Sequence, residues 1–346
     1  MGRAGLNRKT ALATATLTLA AEAPDLDVLS RFGGSAFGLN HHRGFTHSFL
    51  GVPLVAAVVV GFIYLLWRLR GRKTRNPNLS PRWGLLFAYA CLAGLSHILL
   101  DFTNNYGVRP FWPFSERWYS WDIIFIVEPV LLVVLTLGLI LPALFSLINE
   151  EIGARSKGPS AAPHGRLAAT LALLAVVAYW GLRDYEHRRA LAALQSRSYQ
   201  GADAIRVSAY PYWVNPFRWH GVVEAPAFFA TMDVDSLSPE VDPESQMQIR
   251  YKSEETPITL AAKRTYLGRV YLSWAQYPVT ETEQLANDPA INPIGNTRAA
   301  YVVRFRDLRY DYPGSPARAT LGAKVFLNRD LQVVEERFGV GSANTK

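Results

Sequence analysis

Long stretches without charged residues constrain this 346-residue chain more than any other feature. Residues 44–67 contain no Lys, Arg, Asp or Glu, and residues 83–100 and 123–149 are similar apart from Glu128 in the third stretch. A helix needs about 20 apolar residues to span a bilayer, so these three stretches are predicted to span a membrane. Residues 167–182 form a shorter stretch and a marginal fourth span. The alternative, buried helices of a large soluble protein, does not explain why basic residues cluster between the stretches.

Basic residues between the predicted spans indicate their orientation, because Lys and Arg concentrate in cytoplasmic loops. Six basic residues follow the first span: Arg68, Arg70, Arg72, Lys73, Arg75 and Arg82. Only Arg109 and Arg117 lie between the second and third spans. Three follow the third span: Arg155, Lys157 and Arg166. This pattern predicts a cytoplasmic loop after the first span and a non-cytoplasmic C-terminal domain, although Arg183, Arg188, Arg189 and Arg197 oppose that placement. The net charge of +8 is therefore attributed to topology and lipid contact, and no nucleic-acid partner is predicted.

The two ends of the chain differ in character. Residues 10–21 are apolar but would rise only about 18 Å as a helix, which predicts a half-helix rather than a span. Beyond residue 200, aromatic and β-branched residues predict strands at 205–214, 217–224, 228–234, 248–252, 299–305 and 319–326, a hairpin around residues 328–330, and a helix from Tyr266 to Trp274. The predicted fold class is α+β, with a transmembrane helical bundle at residues 1–190 and a soluble, antiparallel-β-rich domain at residues 191–346.

Histidines are concentrated at the mouth of the first predicted span. His41, His42 and His47 lie within seven residues of a chain that has only seven histidines. Neutral imidazole is a common metal ligand, and Arg43 between them could hold a phosphate or carboxylate. The chain has a single cysteine, Cys91, which excludes a disulfide scaffold and a thiolate zinc site. The alternative is an interfacial loop with incidental histidines.

Carboxylates accompany the ends of the other apolar segments. Asp25 and Asp27 follow the half-helix, where they could simply cap a turn. His97 and Asp101 are four residues apart and therefore share one helix face, although a lone histidine in an apolar helix is often structural. All of these residues are predicted to reach the same, non-cytoplasmic membrane face at similar depth.

Asp122 and Glu128 complete the set of candidates. Asp122 is predicted to stand at the outer start of the third span and Glu128 to lie inside it. An ionisable residue within a span is a functional candidate, although a packing role for Glu128 remains the alternative. Histidine and carboxylate ligands without thiolate suit one or two Zn, Mn or Fe ions. Such an ion would activate water, with Asp122 or Glu128 as general base and Arg43 facing an anionic, phosphorylated or lipidic substrate.

Residues 42–48, with the sequence HRGFTHS, closely resemble the HRGxTHS motif of a family of membrane-bound, motif-assigned metal-dependent hydrolases. That family includes LexA-regulated inner-membrane proteins of bacteria. The resemblance extends to the Pro-Asp-Leu-Asp stretch at 24–27, to residues 96–107 and to residues 113–122, and so covers roughly residues 1–150. It implies an inner-membrane location and metal-site roles for Asp25, Asp27, His42, His47, His97 and Asp101. The family's first helix usually carries a Thr-His pair at a point that precedes Met1 here.

The leading prediction is an integral-membrane, metal-dependent hydrolase with membrane lipids and a small-molecule or lipid substrate as partners. One alternative is a non-catalytic membrane protein whose metal is structural or sensory and whose C-terminal domain binds a partner. Another is a metal or proton transporter, which would need ionisable residues through the full depth of the spans rather than at one face.

Overall fold

The computed structural model describes residues 1–74, 78–152, 164–238, 247–285, 299–312 and 321–339. Arg75, Arg155 and Lys157, and part of the strand predicted at 319–326, lie outside these ranges. The chain forms two compact units that are not contiguous in sequence: residues 1–26, 43–186 and 212–216 form the first, and residues 27–42, 187–211 and 217–346 form the second. The fold is α+β, with apolar helices in the N-terminal part and two antiparallel sheets in the C-terminal part, as predicted.

Five helices belong wholly or mainly to the first unit: α1 (Ala13–Glu22), α3 (Gly51–Leu69), α4 (Trp83–Thr103), α5 (Pro129–Ile152) and α6 (His164–Gln195); α2 (Ser35–His41) belongs to the second. Within the described ranges, three apolar helices are long enough to cross a membrane: α3, α4 and the 31 residues of α6 from Gly165. The first two predicted spans are confirmed, and the marginal fourth is longer than predicted. The described apolar part of α5 covers only Pro129–Pro142.

Small side chains let α1, α3 and α4 approach closely. Ala13 and Ala20 of α1 meet Ala56 of α3 and Ala90 and Ala93 of α4 in one buried cluster. Alanines at such interfaces allow helix backbones to pack tightly, which replaces the hydrophobic driving force that lipid does not supply. The ten-residue α1 is too short to span, as predicted, and packs against the membrane-spanning pair instead.

The start of α5 corrects one prediction. The helix begins at Pro129, because proline suits the first helical position, where no backbone N–H is needed. Glu128 therefore precedes the helix rather than lying inside a span, and its carbonyl accepts the first helical hydrogen bond, from the Leu132 N–H. In the segment before it, the N–H groups of Ile123 and Ile124 both donate to the Thr103 carbonyl at the end of α4.

The second unit contains two four-stranded antiparallel sheets, each with its strands in sequence order. One consists of β1 (Arg206–Pro211), β2 (Arg218–Glu224), β3 (Phe228–Asp235) and β4 (Gln248–Tyr251); the other of β5 (Pro278–Gln284), β6 (Tyr301–Asp307), β7 (Ala323–Leu327) and β8 (Val333–Phe338). The helices α7 (Pro257–Arg264) and α8 (Tyr266–Trp274) lie between the sheets in sequence. The predicted hairpin between β7 and β8 and the helix from Tyr266 to Trp274 are confirmed.

Residues 27–42 join the second unit, which the sequence did not predict. Helix α2 packs against α8 and β8, and the Phe338 N–H donates to the Ser35 hydroxyl at 3.3 Å. The chain thus leaves the first unit after Leu26 and returns to it at Arg43. The HRGFTHS motif begins at this return point.

Candidate metal centre

Three local structures in the first unit place the predicted ligands. Asp25 stands in the first turn of a 3-10 helix, Pro24–Gly33, that directly follows α1. His47 ends a single 3-10 turn, Phe45–His47, that precedes α3. His97 and Asp101 are one turn apart near the C-terminal end of α4, so their side chains share one helix face.

Ser48 and Gly51 fix the turn that carries His47. The Ser48 hydroxyl accepts a hydrogen bond from the Gly51 N–H at 2.9 Å and donates to the Phe45 carbonyl at 2.8 Å. The turn leaves no room for a side chain at Gly51, because an added Cβ would lie 1.8 Å from the Phe45 carbonyl oxygen. The serine of the motif therefore shapes the start of α3 and holds the preceding histidine in place.

Four side chains converge in this region: Asp25, His47, His97 and Asp101 each offer one ligand atom, and all four atoms lie within 4.8 Å of one another. The Nε2 atoms of His47 and His97 are 3.2 Å apart. Asp25 Oδ1 lies 3.5 Å from the first and 3.4 Å from the second, and Asp101 Oδ2 lies 3.2 Å and 3.4 Å from them.

These separations fit a single divalent ion. Nitrogen and oxygen ligands held about 2.0–2.2 Å from one ion in a tetrahedron are about 3.3–3.6 Å apart. The five separations above, 3.2 to 3.5 Å, match that edge length closely. Asp101 Oδ2 is also buried, and a cation shared with the two imidazole nitrogens would offset the cost of burying its charge. The residues present therefore fit a bound metal.

Burial differs across the centre. The His47 side chain is fully buried, whereas the Asp25 side chain is 52% exposed. Hydrogen bonding with His47, and then with His97, holds the pKa of the Asp25 carboxyl well below its usual range, so this ligand is ionised at neutral pH. Asp25 is therefore the most exposed of the four candidate ligands and His47 the most deeply buried.

Arg43 binds the oxygen of the Asp101 carboxylate that does not face the cluster. Its NH2 group donates to Asp101 Oδ1 at 2.7 Å, while its NH1 group donates to Asn104 Oδ1 at 3.2 Å and to the Gly107 carbonyl at 3.1 Å. The guanidinium also lies 4.8 Å from the centre of the Tyr106 ring. This contact occupies Oδ1 and leaves Oδ2 for the cluster, so Arg43 orients a ligand in this structure.

Thr46 orients His47 in the same way. The Thr46 hydroxyl lies 3.1 Å from Nδ1 of His47, on the far side of the ring from the cluster. When Nδ1 donates to this hydroxyl, the Nε2 lone pair faces the other three ligands, which is the tautomer that metal binding needs. Thr46, Asn104 and Gly107 were not singled out from the sequence; the only signal for them was their position within or beside the motif stretches.

Among the described residues, the other predicted residues are not part of the converging group. Asp27 and His42 belong to the second unit and pair with each other, Oδ1 to Nδ1, at 2.8 Å. Asp122 is half-buried in the irregular segment before α5, with a left-handed φ of 58°. Glu128 is buried, and its Oε1 accepts a hydrogen bond from the Tyr179 hydroxyl of α6 at 3.2 Å. Among the described residues, the converging group contains neither Asp122 nor Glu128.

Comparison with known proteins places the N-terminal half in a family. The profile of the family described as YdjM inner membrane protein matches residues 1–190. The chain is also 27% identical over 112 residues to the uncharacterized protein YfhP of Bacillus subtilis (strain 168). That match covers 32% of this chain and 31% of YfhP, so the two proteins share about a third of their lengths. No solved structure matches the chain.

Proposed function

The chain belongs to the YdjM inner membrane protein family, and we propose that it is an integral-membrane, metal-dependent hydrolase. The observation that carries this proposal is the convergence of two imidazole nitrogens and two carboxylate oxygens, all within 4.8 Å of one another, around a space that one ion could fill. Such a mixed nitrogen and oxygen donor set suits Zn, Mn or Fe. A bound ion with a further coordination position left to water would lower the pKa of that water to about 7 and so supply a nucleophile near neutral pH.

The protein's own residues have distinct tasks in this proposal. Asp25, His47, His97 and Asp101 bind the ion. Arg43 and Thr46 are positioning residues outside this set, because they orient Asp101 and His47 through hydrogen bonds. The general-base role of Asp122 or Glu128 stays a prediction, as do ligand roles for Asp27 and His42.

The orientation of the spans supports a centre at the non-cytoplasmic face. The basic loop between α3 and α4 contains Arg70, Arg72, Lys73 and Arg82, whereas the candidate ligands lie at the opposite ends of these two helices. Because basic loops remain in the cytoplasm, the metal centre would face the other side of the bacterial inner membrane. If α5, whose described apolar part is Pro129–Pro142, crosses together with α6, the C-terminal domain would follow on that same side.

Metal analysis of the full-length protein in detergent tests the site. We expect one equivalent of Zn, Mn or Fe per chain in the wild type and in His41→Ala, which changes an exposed histidine outside the group. His47→Ala and Asp101→Asn should lose the metal. Circular dichroism checks that all four proteins remain folded. A wild-type protein that takes up no metal, or a His47→Ala variant that retains it, would contradict the proposed centre.

A second measurement separates catalysis from a structural or sensory metal. The Co²⁺-loaded protein should change its visible absorption when azide is added, because a catalytic site keeps one coordination position open to exchange. Phosphoester and carboxylic-ester substrates would then be screened with the wild type and His97→Ala, which we expect to be inactive. A spectrum that azide does not alter would favour the structural role.

A further inference from the structure

Four exposed phenylalanines form a patch in the first unit, hereafter the aromatic surface: Phe45, Phe49, Phe111 and Phe114. Phe49 is 53% and Phe114 is 86% exposed. Phenylalanines this exposed are unusual on a surface that meets only water, and grouped apolar side chains mark an interaction site.

Specific contacts hold two separate parts of the chain together in this surface. The Phe49 ring meets Phe111 edge to face at 5.5 Å, and the Phe45 ring meets Trp112 at 5.7 Å. The Phe49 N–H donates to the Pro110 carbonyl at 2.9 Å. The loop between α4 and α5 is thus fixed against the segment that leads into α3, and its exposed rings have a defined position.

The aromatic surface continues the outer face of a membrane-spanning helix. Leu54 and Val58 of α3 are exposed and one turn apart, and Leu50, one turn earlier, is exposed beside Phe49. Exposed apolar residues along the middle of a span face the acyl chains. The aromatic surface lies at the end of α3 where this exposed apolar stripe leaves the helix.

The same chain segments also build the metal centre. Phe45 is two residues from His47, in the same 3-10 turn. In the loop, Gly107 accepts a hydrogen bond from Arg43, and the Arg109 N–H donates to the Arg43 carbonyl. The aromatic surface and the metal ligands are therefore parts of one rigid arrangement rather than separate features.

We propose that the aromatic surface is seated in the outer leaflet of the bilayer, and that the metal centre takes a membrane amphiphile whose acyl chain lies against it. The second half of this inference rests on the proposed function, whereas the first half does not. The substrate class follows from position: a centre whose ligand-bearing turn is embedded at the headgroup level meets lipid headgroups before it meets solutes from the bulk.

Site-directed spin labelling tests the membrane contact without reference to metal. The chain has one cysteine, so Cys91→Ser gives a background for single labels. Labels at Phe114→Cys, at Val58→Cys as the lipid control and at Asp330→Cys as the water control would be compared in nanodiscs by collision with oxygen and with a water-soluble nickel chelate. All three positions are exposed. We expect the label at 114 about 5–10 Å below the headgroups. A label at 114 as accessible to the nickel chelate as that at 330 would overturn the proposal.

Paired hydroxamates test the substrate class, because both bind metal and differ only in their chain. The metal-loaded wild type would be compared with the double variant Phe111→Ser/Phe114→Ser, using acetohydroxamate and dodecanoyl hydroxamate. The long probe partitions into lipid equally in both samples, so this effect cancels when the wild type and the double variant are compared. The long probe should bind the variant about tenfold more weakly, equivalent to roughly two methylenes leaving an apolar contact, while the short probe is unaffected.

The outcomes of the two tests are separable. Equal loss of both hydroxamates in the variant, or loss of neither, would overturn the amphiphile assignment. Failure of both probes to bind the wild type would count against the metal centre, while the spin-label depths would still decide whether the aromatic surface enters the membrane. Metal content of the double variant equal to the wild type confirms that its centre is intact.

Discussion

Replacing Arg43 tests whether it positions a metal ligand or binds substrate. Its guanidinium uses NH2 for Asp101 and NH1 for Asn104 and the Gly107 carbonyl. Lysine has a single nitrogen and no planar fork, so Arg43→Lys keeps the charge but cannot reproduce both sets of contacts. Asp101 would then lose its fixed orientation while remaining ionised.

The expected loss of metal affinity follows from the position of Arg43, which contacts a ligand of the ion rather than the ion itself. Residues that orient metal ligands typically contribute 10- to 100-fold in metal affinity, or about 1.4–2.8 kcal/mol. Arg43→Lys should lie near the lower limit. Arg43→Ala should lie near the upper limit and also lower the free energy of unfolding by about 3–5 kcal/mol, because the largely buried Asp101 carboxylate loses its cation.

The assay is competition for Zn²⁺ between the full-length protein and a chelating indicator, together with thermal unfolding. Arg183→Lys is the matched control, because Arg183 is fully buried, donates to the Ile123 carbonyl at 2.7 Å and lies on α6, which carries none of the four candidate ligands. It should lower stability without changing the zinc affinity.

A substrate-binding role for Arg43 predicts a different pattern. In that case Arg43→Lys would bind zinc as tightly as the wild type, and its defect would be a raised KM. Unchanged zinc affinity in Arg43→Lys, or a loss no greater than that in Arg183→Lys, would therefore refute the positioning role.

Three further predictions concern single sites outside the ligand set. Gly51→Ala should lower the melting temperature and the metal content together, because its Cβ would overlap the Phe45 carbonyl, whereas Gly61→Ala, with open space around it, should lower neither. Burial lowers the pKa of His220, so below about pH 6.5 the unfolded chain binds protons more readily than the folded chain. As the pH falls below this value, the free energy of unfolding of the second unit, measured by hydrogen exchange, should decrease by up to about 1.4 kcal/mol per pH unit. The decrease per pH unit should be smaller in His220→Gln. Asp307→Asn breaks a buried pair with Arg309 and should cost about 3–5 kcal/mol in urea unfolding, while Glu283→Gln, in an exposed pair, should cost under about 1 kcal/mol.

The sequence predicts the spans well because a bilayer imposes a strong and simple rule on composition. Helix α4 begins at the first residue of its charge-free stretch, at Trp83, and α3 ends close to the end of its own, at Leu69. Helix α3 begins only at Gly51, after the turn that carries His47. The same rule fails for Glu128, because hydropathy averages over a window and does not register that Pro129 starts a helix. Strand β5 was missed for a related reason: its sequence, PVTETEQ, has little apolar character, and it forms by pairing with β6.

The candidate site is predictable in its ligands and less so in its supporting contacts. The positions of His47, His97 and Asp101 at neighbouring span ends are sufficient to expect that they meet. The sequence does not show that residues 27–42 fold with the C-terminal sheets, since that depends on contacts of α2 with elements some 300 residues away, such as Ser35 with Phe338. Nor does it show that Arg43 faces Asp101, which depends on the rotamer of one side chain.

The arrangement explains why the motif has its particular residues. Of the string HRGFTHS, the structure brings only His47 into the converging group. Arg43 and Thr46 orient ligands, and Ser48 shapes the turn before α3, so three of the seven positions hold the centre rather than form it. A metal site at the end of membrane helices needs this support, because its ligands come from separate segments that lipid does not press together. The motif therefore serves mainly to position the ligands at the ends of α3 and α4, and it contributes only one ligand itself.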